Sequence, residues 1–555
     1  MGDDGNRAGG SEEPRWDWRP RARRSNPIGV LLDPRVDPVA EVEVFPTGYV
    51  QDRLLLSNAG DIAANIDLVR RVAAAFGWDV VPQTLAGAPL EGERIPPPPV
   101  PEGTVAIRVE LRPVATQGEQ RVPAPPDAWR VLQRARSERS RDLLGVGLDH
   151  VMTIDPLGLN PYTHTNPYTH TNPYTHTNPY THTNPYTHTN PVAEYALPGR
   201  GGHQPVAWMG PAPLRRPDPI KGRRPVVAIL DTGCGEHEWL DQVVQRKPKD
   251  VDGKPIGLVN DEDDPEIHPD LVGPLDGAMD PVAGHGTFIA GIVTQAAPDA
   301  DILAVRVADA LGVVEESKLV EALGQLGGLL HAWRTSNGKQ GRPIDVVNLS
   351  LSYYHETPKD LLFDRVLFGA LQDLRKNGCV VVASAGNDAT DRPSFPASLW
   401  PWPGADNKIQ PDTFAPHVSV GALNPGGHTT ALFSNVGPWV RTFAVGASVI
   451  STSPAFETGL QALSRHVHDD GRLREAGDPD DFRGGFGVWS GTSFAAPLVA
   501  GRIADALGQS LLGDPAFAND TPDPVPAAIK RTETCTTSVV DVLDASDHSR
   551  GPSMP

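Results

Sequence analysis

Two apolar runs that end in polar residues limit the fold of this chain more than any other feature. Residues 226–230 (Val-Val-Ala-Ile-Leu) lead directly into Asp231, and residues 380–383 (Val-Val-Val-Ala) lead into Asn387 after three small residues. Short apolar runs without polar alternation are typical of buried parallel strands, and α/β sheets place functional groups at the carboxyl ends of such strands. The two runs therefore predict an α/β sheet with Asp231 and Asn387 near strand ends.

A histidine and a serine each stand at the predicted start of a helix. His285 lies between two glycines, ahead of the small and apolar residues 287–293. Ser493 follows Ser-Gly-Thr and precedes the apolar residues 494–497. In that position a serine hydroxyl can reach a substrate, while the N–H groups of the first helical turn face a developing oxyanion. Such a serine is well placed to be a nucleophile if a base lies nearby in the fold.

The chain order Asp231, His285, Ser493 resembles that of the subtilisin-like serine peptidases (subtilases) rather than that of chymotrypsin or the α/β-hydrolases. Further stretches resemble blocks of that family in the same sequence: 268–271, 345–352, 394–397, 418–422 and 433–437. The resemblance covers roughly residues 222–535. It implies a doubly wound, mostly parallel subtilisin-like sheet with helices on both faces, and a serine endopeptidase that cleaves polypeptides through an acyl-enzyme.

The resemblance assigns one role to each residue of the catalytic set. Ser493 is the nucleophile, His285 is the base that accepts its proton, and Asp231 orients the imidazole and stabilises the imidazolium. The Asn387 side chain and the Ser493 backbone N–H are expected to bind the oxyanion. Two alternatives stay open: an inactive subtilase fold that only binds peptides, and a protease whose only cut lies within its own linker.

Two stretches resemble the walls of the primary specificity pocket of the family. One wall consists of Ser350, Leu351 and Ser352, and the other of Ala385 and Gly386. These residues carry no charge, which favours an apolar or uncharged side chain before the scissile bond. Exposed strand edges beside such pockets commonly bind the substrate as an added strand, so unfolded polypeptide is the expected ligand.

No cofactor is expected for the chemistry, because serine, histidine and aspartate suffice for acyl transfer. Calcium sites are common in subtilases, and residues 261–264 (Asp-Glu-Asp-Asp) could offer the oxygen ligands that calcium prefers. A solvated acidic loop is the interpretation that we favour for this stretch. Structural calcium stays an open alternative, and no residue is assigned as a metal ligand.

A small α+β domain is predicted ahead of the peptidase, over residues 26–153. Apolar residues follow helical spacing over 62–76, alternate as in a strand over 105–111, and predict a helix at 129–135 and a strand at 146–152. In placement and rough pattern this unit resembles the propeptides of subtilases, whose C-terminal strand end lies in the substrate cleft. Inhibition in cis until cleavage, a separate recognition domain and a structural extension are the three interpretations.

An exact hexapeptide repeat predicts a flexible linker over residues 154–221. Asn-Pro-Tyr-Thr-His-Thr occurs five times between positions 160 and 189. Its regular proline and its lack of aliphatic residues favour an extended chain that is open to proteases. Outside these units, residues 1–25 are predicted to be disordered, residues 222–535 to form the peptidase domain and residues 536–555 to form a C-terminal tail.

Charge and composition exclude several classes of partner. The chain has 69 acidic and 49 basic residues, and its formal net charge of −20 disfavours nucleic acid and anionic membranes. No apolar run reaches the ~18 residues that span a bilayer, and residues 28–32 are too few for the core of a signal peptide, so a cytoplasmic location is expected. The cysteines at 234, 379 and 535 predict no disulfide framework.

Overall fold

A computed structural model describes residues 29–39, 42–114, 124–139, 143–154, 195, 201–272, 279–358, 365–403, 409–457, 462 and 464–546. Residues 1–25 and the repeats at 160–189, for which the sequence predicts disorder and an extended linker, lie outside the described residues. In chain order the strands are β1 Gly29–Leu31, β2 Gly48–Ser57, β3 Trp78–Gln83, β4 Ala106–Pro113, β5 Val146–Ile154, β6 Gln204–Pro205, β7 Val226–Asp231, β8 Val244–Arg246, β9 Asp301–Arg306, β10 Val313–Glu315, β11 Val346–Leu349, β12 Leu351–Ser352, β13 Val380–Ser384, β14 His417–Leu423, β15 Thr442–Val445, β16 Val449–Thr452, β17 Arg465–Val467, β18 Leu473–Glu475 and β19 Phe486–Trp489. The helices are α1 Ile62–Ala74, α2 Ala128–Arg139, α3 His285–Ala296, α4 Glu316–Thr335, α5 Arg365–Lys376, α6 Thr492–Leu511 and α7 Val525–Ser546.

A seven-stranded parallel sheet forms the centre of the peptidase half of the chain. Its strand order is β15-β14-β13-β11-β7-β9-β8, and every pair runs parallel. Neighbouring residues of β7 point to opposite faces of the sheet. Ala228 packs in the core with α4 and α5, whereas Ile229 packs in the core with α3 and α6. The doubly wound α/β fold is therefore confirmed, and the two apolar runs of the sequence are β7 and β13.

Two predicted site residues, Asp231 and Asn387, lie on the side of this sheet where its parallel strands end. From β7 the chain continues to β8 and β9 on one side, and then crosses to β11 on the other side. Ligands of open α/β sheets bind where the strand order reverses in this way, outside the carboxyl ends of the strands. Asp231 is the last residue of β7, and Asn387 follows the carboxyl end of β13.

A second, antiparallel sheet contains the N-terminal strands, and we call the described residues between 29 and 154 the N-terminal unit. The strand order is β10-β5-β2-β4-β3, with β1 added to β2 and β12 added to β5. α1 and α2 pack on this sheet around the buried side chains of Trp129 and Leu54. The predicted helix at 62–76 and strand at 105–111 are confirmed by α1 and β4, and α2 and β5 confirm the two further predicted elements.

The C-terminal helix α7 continues past residue 535, where the sequence predicts the end of the peptidase domain. It runs to Ser546. Its buried side chains recur every three or four residues: Ala528, Thr532, Thr536, Val540 and Leu543. This spacing gives α7 one buried face, which packs against α6. Residues 536–546 are therefore helical rather than a tail, because the buried face continues through that boundary.

The described residues contain neither a disulfide nor a membrane-spanning helix. Cys379 is buried, Cys234 and Cys535 are half-buried, and all three are free thiols. None of the described helices combines the length and the apolar character needed to cross a bilayer.

Candidate active site

Asp231 and His285 form a buried hydrogen-bonded pair. His285 is the first residue of α3, and the chain enters this helix through Gly284, whose φ of +78° lies in the left-handed region that favours glycine. His285 Nδ1 lies 2.8 Å from Asp231 Oδ1, and both side chains are 0% exposed. With Nδ1–H donating to the carboxylate, the lone pair on Nε2 is the basic site of the ring.

Aromatic side chains surround the ring of His285. Its centroid lies 5.5 Å from that of Trp489 and 5.2 Å from that of Phe494. His203 stacks on Trp489 with the ring centroids 3.7 Å apart. Burial lowers the pKa of His203 to about 3, and the charge of His285 acts in the same direction. His203 is therefore uncharged at neutral pH. Within the described part of the chain, His285 Nε2 has no hydrogen-bond partner.

Ser493 is the second residue of α6, and its carbonyl group is bound in an unusual way. Pro497 has no N–H, so the Ser493 carbonyl lacks the donor that a helix normally supplies four residues later. Ser350 Oγ donates to that carbonyl instead, over 2.9 Å, and Ser493 Oγ donates to the Ser350 carbonyl over 3.4 Å. The sequence does not predict this reciprocal contact, although a proline four residues after the serine is a signal for it.

The side chain of Asn387 is oriented by the start of α6. Asn387 Oδ1 accepts hydrogen bonds from Thr492 N at 2.8 Å and from Thr492 Oγ1 at 2.9 Å. Thr492 directly precedes Ser493, so the structure brings the Asn387 amide to the first turn of the serine helix. Because the planar amide turns Oδ1 towards Thr492, Nδ2 lies on the other side of the group.

The predicted pocket residues lie on two segments that face each other. Ser350 and Ala385 are fully buried. Gly386 has a φ of +99°, and a Cβ atom there would lie 2.5 Å from Asn435 Nδ2 and 3.4 Å from Ser352 Oγ. The backbone of Gly386 therefore approaches Ser352 closely, which brings the two predicted walls together.

The remaining wall residue, Leu351, lies with Ser352 in β12. The strand β12 is paired with β5 of the N-terminal unit. β5 lies between β10 and β12, antiparallel to both. Thr153 stands opposite Val313 on one side and opposite Ser352 on the other. Ile154 stands opposite Leu351, and its N–H donates to the Gly312 carbonyl over 2.8 Å. The strand edge that the sequence predicts as a substrate edge is thus occupied by the chain itself.

A buried aspartate of β5 binds the first turn of α4. Asp149 accepts hydrogen bonds from the backbone N–H and the hydroxyl of Ser317, both at 2.9 Å. Burial, reinforced by the charge of Glu315, raises the pKa of Asp149 from an ordinary 3.8 to about 6. Asp149 therefore accepts hydrogen bonds from two donors at the start of α4. Its burial, however, makes the negative charge of its carboxylate unfavourable there.

His150, the next residue of β5, lies between two buried carboxylates. Its Nδ1 is 2.6 Å from Glu316 Oε2 and its Nε2 is 2.8 Å from Glu356 Oε2. His355 lies beside this pair, and the three side chains of His150, His355 and Glu356 are close enough to hold a metal ion. However, His355 Nδ1 accepts the Thr357 N–H over 3.0 Å, so hydrogen bonds within the protein already engage these nitrogen atoms.

The acidic stretch 261–264 faces positive side chains. Lys247 pairs with Asp261, and Arg306 lies 2.9 Å from Asp263. Residues 261–263 form a short 3-10 helix with no buried side chain. The solvated acidic loop stays a prediction, and structural calcium stays the open alternative with no residue assigned as its ligand.

Comparisons with known proteins agree on one family. The sequence profile of the Subtilase family matches residues 222–540, more than half of the chain. The "Intracellular serine protease" of Paenibacillus polymyxa is 27% identical over 326 residues, which cover 56% of this chain and 75% of that protein. "Subtilisin-like protease 2" of Pseudogymnoascus destructans is 29% identical over 42% of this chain and 44% of that protein, less than half of its length. A solved structure, that of a cold adapted subtilisin-like serine proteinase, aligns at 22% identity with a TM-score of 0.33 and covers 54% of this chain and 81% of that chain.

Proposed function

Because the chain belongs to the subtilase family and is a serine endopeptidase, we propose that Ser493, His285 and Asp231 are its catalytic triad. The observation that carries the proposal is the buried 2.8 Å hydrogen bond between His285 Nδ1 and Asp231 Oδ1. This bond leaves the lone pair of His285 Nε2 to accept the proton of a serine hydroxyl. Ser493 stands at the start of the helix that contacts the same imidazole through Phe494.

In the proposed reaction Ser493 Oγ attacks the scissile carbonyl carbon while His285 Nε2 takes the hydroxyl proton. Asp231 stabilises the imidazolium that forms. The imidazolium then protonates the leaving amine, so the C–N bond breaks and an ester to Ser493 remains. A water molecule, deprotonated by the same nitrogen, attacks this ester and releases the second product.

The oxyanion of each tetrahedral intermediate is assigned to two donors. The Ser493 backbone N–H belongs to the first turn of α6, where helical N–H groups lack intrahelical acceptors and the helix dipole favours negative charge. The second donor is Asn387 Nδ2, because Thr492 fixes the oxygen of the same amide. Both donors are held before the substrate arrives, which is the condition for effective electrostatic stabilisation.

We also propose that the N-terminal unit inhibits the peptidase in cis. The support is β5, which occupies the position of an added strand between β10 and β12. A peptide that bound as an added strand beside Leu351 and Ser352 would need the same edge. Substrate would gain access once the linker is cut and the unit leaves. The uncharged walls at Ala385 and Gly386 then favour an uncharged side chain before the scissile bond.

A cytoplasmic location is part of the proposal. Its support is the Paenibacillus relative, whose name describes an intracellular serine protease. Cell fractionation with an antibody against the full chain tests the location, and recovery of the protein from the medium would contradict it.

Labelling with a fluorophosphonate tests the triad. The wild type with its linker cut is expected to be labelled at Ser493, and Ser493→Ala to stay unlabelled, because the reagent needs an activated serine. Ser510→Ala, which removes an exposed serine from the same helix, is the matched control and should label like the wild type. A wild type that stays unlabelled, both whole and cut, would overturn the triad and favour a peptide-binding protein.

Mass spectrometry tests inhibition in cis and separates it from self-processing alone. A cut within residues 155–200 is expected in the wild type and not in Ser493→Ala. Cleavage of added peptides should appear only with that cut. A chain that stays whole and cleaves peptides as fast as the cut protein would contradict inhibition, and a cut chain that cleaves no peptide even after dilution would leave self-processing as the activity.

A further inference from the structure

A buried glutamate outside the proposed triad lies between the segments that carry Asp231 and His285. Glu266 is located in the connection between β8 and α3, and it is 3% exposed. The sequence offers no signal for it, since it follows the acidic stretch 261–264 in the same loop, 20 positions before the first residue of α3 that it contacts. Its burial in a loop calls for hydrogen-bond donors around the carboxylate.

The carboxylate of Glu266 finds its donors on both segments. Glu266 Oε1 accepts from the Gly286 N–H at 2.8 Å and from the hydroxyl of Thr232. Glu266 Oε2 accepts from the hydroxyl of Thr287. Thr232 directly follows the proposed catalytic acid, and the other two residues directly follow the proposed base. One carboxylate thus joins the end of β7 to the first turn of α3.

The same two threonines extend the contact in both directions. The Thr232 N–H donates to Asp231 Oδ1 at 2.8 Å, and Thr232 Oγ1 shares the Gly286 N–H with Glu266, also at 2.8 Å. Thr287 Oγ1 accepts from the Gly235 N–H at 2.7 Å. Loss of the Glu266 carboxylate would therefore release the loop after β7 and the start of α3 together.

Burial opposes a negative charge on Glu266, and its hydrogen bonds offset part of that cost. Glu266 binds a backbone N–H in the first turn of α3, where the helix dipole favours an anion. Burial raises the pKa of Glu266, while the hydrogen bonds from Thr232 and Thr287 act to lower it, and the charge of Asp231 raises it further. Two acidic groups, Asp231 and Glu266, therefore lie beside the first turn of α3, one bound to His285 Nδ1 and the other to the Gly286 N–H.

We propose that Glu266 is a positioning residue of this endopeptidase, which holds Asp231 and His285 in register by binding the groups that follow each of them. The inference rests on the proposed triad. Glu266 acts through Thr232, Gly286 and Thr287 rather than on the substrate.

Glu266→Gln tests the inference with little change of shape. One acceptor oxygen becomes an NH2 group, which would face an N–H or O–H donor instead of accepting from it. We expect kcat on a chromogenic peptide, measured with the linker cut by an added protease and the protein diluted, to fall roughly 10- to 100-fold while KM stays within about twofold, because small misplacements of catalytic groups have effects of this order. The pH profile of kcat should also change, since the variant removes a buried carboxylate from beside the proposed pair of Asp231 and His285.

Two further variants complete the experiment. Glu262→Gln, at an exposed acid in the same loop, should keep the wild-type kcat and pH profile. Thr287→Val removes one donor to the Glu266 carboxylate while keeping the size of the side chain, so it tests the same contact if Glu266→Gln does not fold. In Thr287→Val kcat should also fall with KM retained.

A folded Glu266→Gln with the kcat and pH profile of the wild type would overturn the inference, as would a wild-type kcat in Thr287→Val if the first variant does not fold. Labelling of the wild type at Ser493 is measured in parallel. If the wild type is labelled and Glu266→Gln is unchanged, only the role of Glu266 fails. If the wild type is unlabelled whole and cut, the triad itself fails.

Discussion

Residues next to the proposed catalytic groups fix those groups in place. Thr492 precedes Ser493 and holds the Asn387 amide through two hydrogen bonds. Thr232 follows Asp231 and donates to its carboxylate. These neighbours are buried, so a substitution that removes their partner also leaves a buried donor unsatisfied, which costs about 1–3 kcal/mol beyond the lost contact. Variants at the site are therefore best designed to keep such donors paired.

Asn387→Asp is a variant of this kind. It keeps an acceptor oxygen for Thr492 and removes the amide donor that is proposed to bind the oxyanion. We expect kcat to fall by at least about 10²–10³, the range for loss of the equivalent donor in subtilisin, with little change in KM, because the donor acts on charge that develops in the transition state. Asn387→Ala, which removes both functions, should add a loss of thermal stability. A wild-type kcat in Asn387→Asp would contradict the oxyanion role.

Sequence patterns predict the residues at strand ends and helix starts, but not the contacts that orient them. Asp231 and Asn387 follow apolar runs, and His285 opens a helix between glycines, so their local sequence announces their position. The Ser350–Ser493 contact joins residues 143 positions apart, and it gives a donor to a carbonyl that Pro497, which has no N–H, cannot serve. Contacts of this type depend on which elements the fold brings together, which no local pattern contains.

At the scale of elements, β5 is the strand on which the two halves of the chain meet. It belongs to the antiparallel sheet of the N-terminal unit and also pairs with β10 and β12. The sequence predicts a strand at 146–152, whereas β10 and β12, with three and two residues, are too short for periodicity to predict. Their strand geometry comes from the partner strand. The sequence therefore could not predict that β5 lies between β10 and β12.

The hydrogen bonds between Asp149 and Ser317 are expected to help hold β5 against the start of α4. Asp149→Ala removes the acceptor for two donors of Ser317 at the start of α4. A lost helix cap costs about 1 kcal/mol, so hydrogen exchange of the amides at 151–154 should become roughly fivefold faster if β5 opens locally. Asp149→Asn keeps one acceptor and should show a smaller effect. Exchange as slow as in the wild type would show that the cap does not hold the strand.

The pKa of Asp149 also predicts how this strand responds to pH. Because its pKa is about 6 when docked and 3.8 in its ordinary state, docking takes up a proton between these values. The contribution of Asp149 to docking is fully present below about pH 4 and is lost as the pH rises through about 6. Protection factors at 151–154, measured in Ser493→Ala, should therefore decline over this range by more than in the same protein carrying Asp149→Asn. Equal declines in the two proteins would contradict a titrating Asp149.

At the scale of the whole molecule, the N-terminal unit and the peptidase half share one apolar core. Met152 and Ile154 of β5 pack in the same cluster as Leu323 of α4 and Leu367 of α5. The two halves are thus held by side-chain packing as well as by strand pairing. Cutting the covalent connection between them removes neither of these interactions.

A cut in the linker is therefore expected to leave a complex of two chains rather than free peptidase. Size-exclusion chromatography of cut Ser493→Ala, produced with an added protease, should show both fragments together at micromolar concentration and apart after dilution. The uncut protein is the control and should elute at one position at every concentration. Separation of the fragments at the highest concentration tested would show that the interface is too weak to hold without the linker.

In the uncut chain the pairing of β5 with β10 and β12 sets a competition that protein concentration does not alter. A strand tethered beside its binding edge has an effective concentration on the order of millimolar, whatever the amount of protein present. A peptide with the same intrinsic affinity for that edge would have to reach a similar concentration to occupy half of the molecules. The uncut enzyme would consequently respond to the abundance of unfolded chains around it as well as to their sequence.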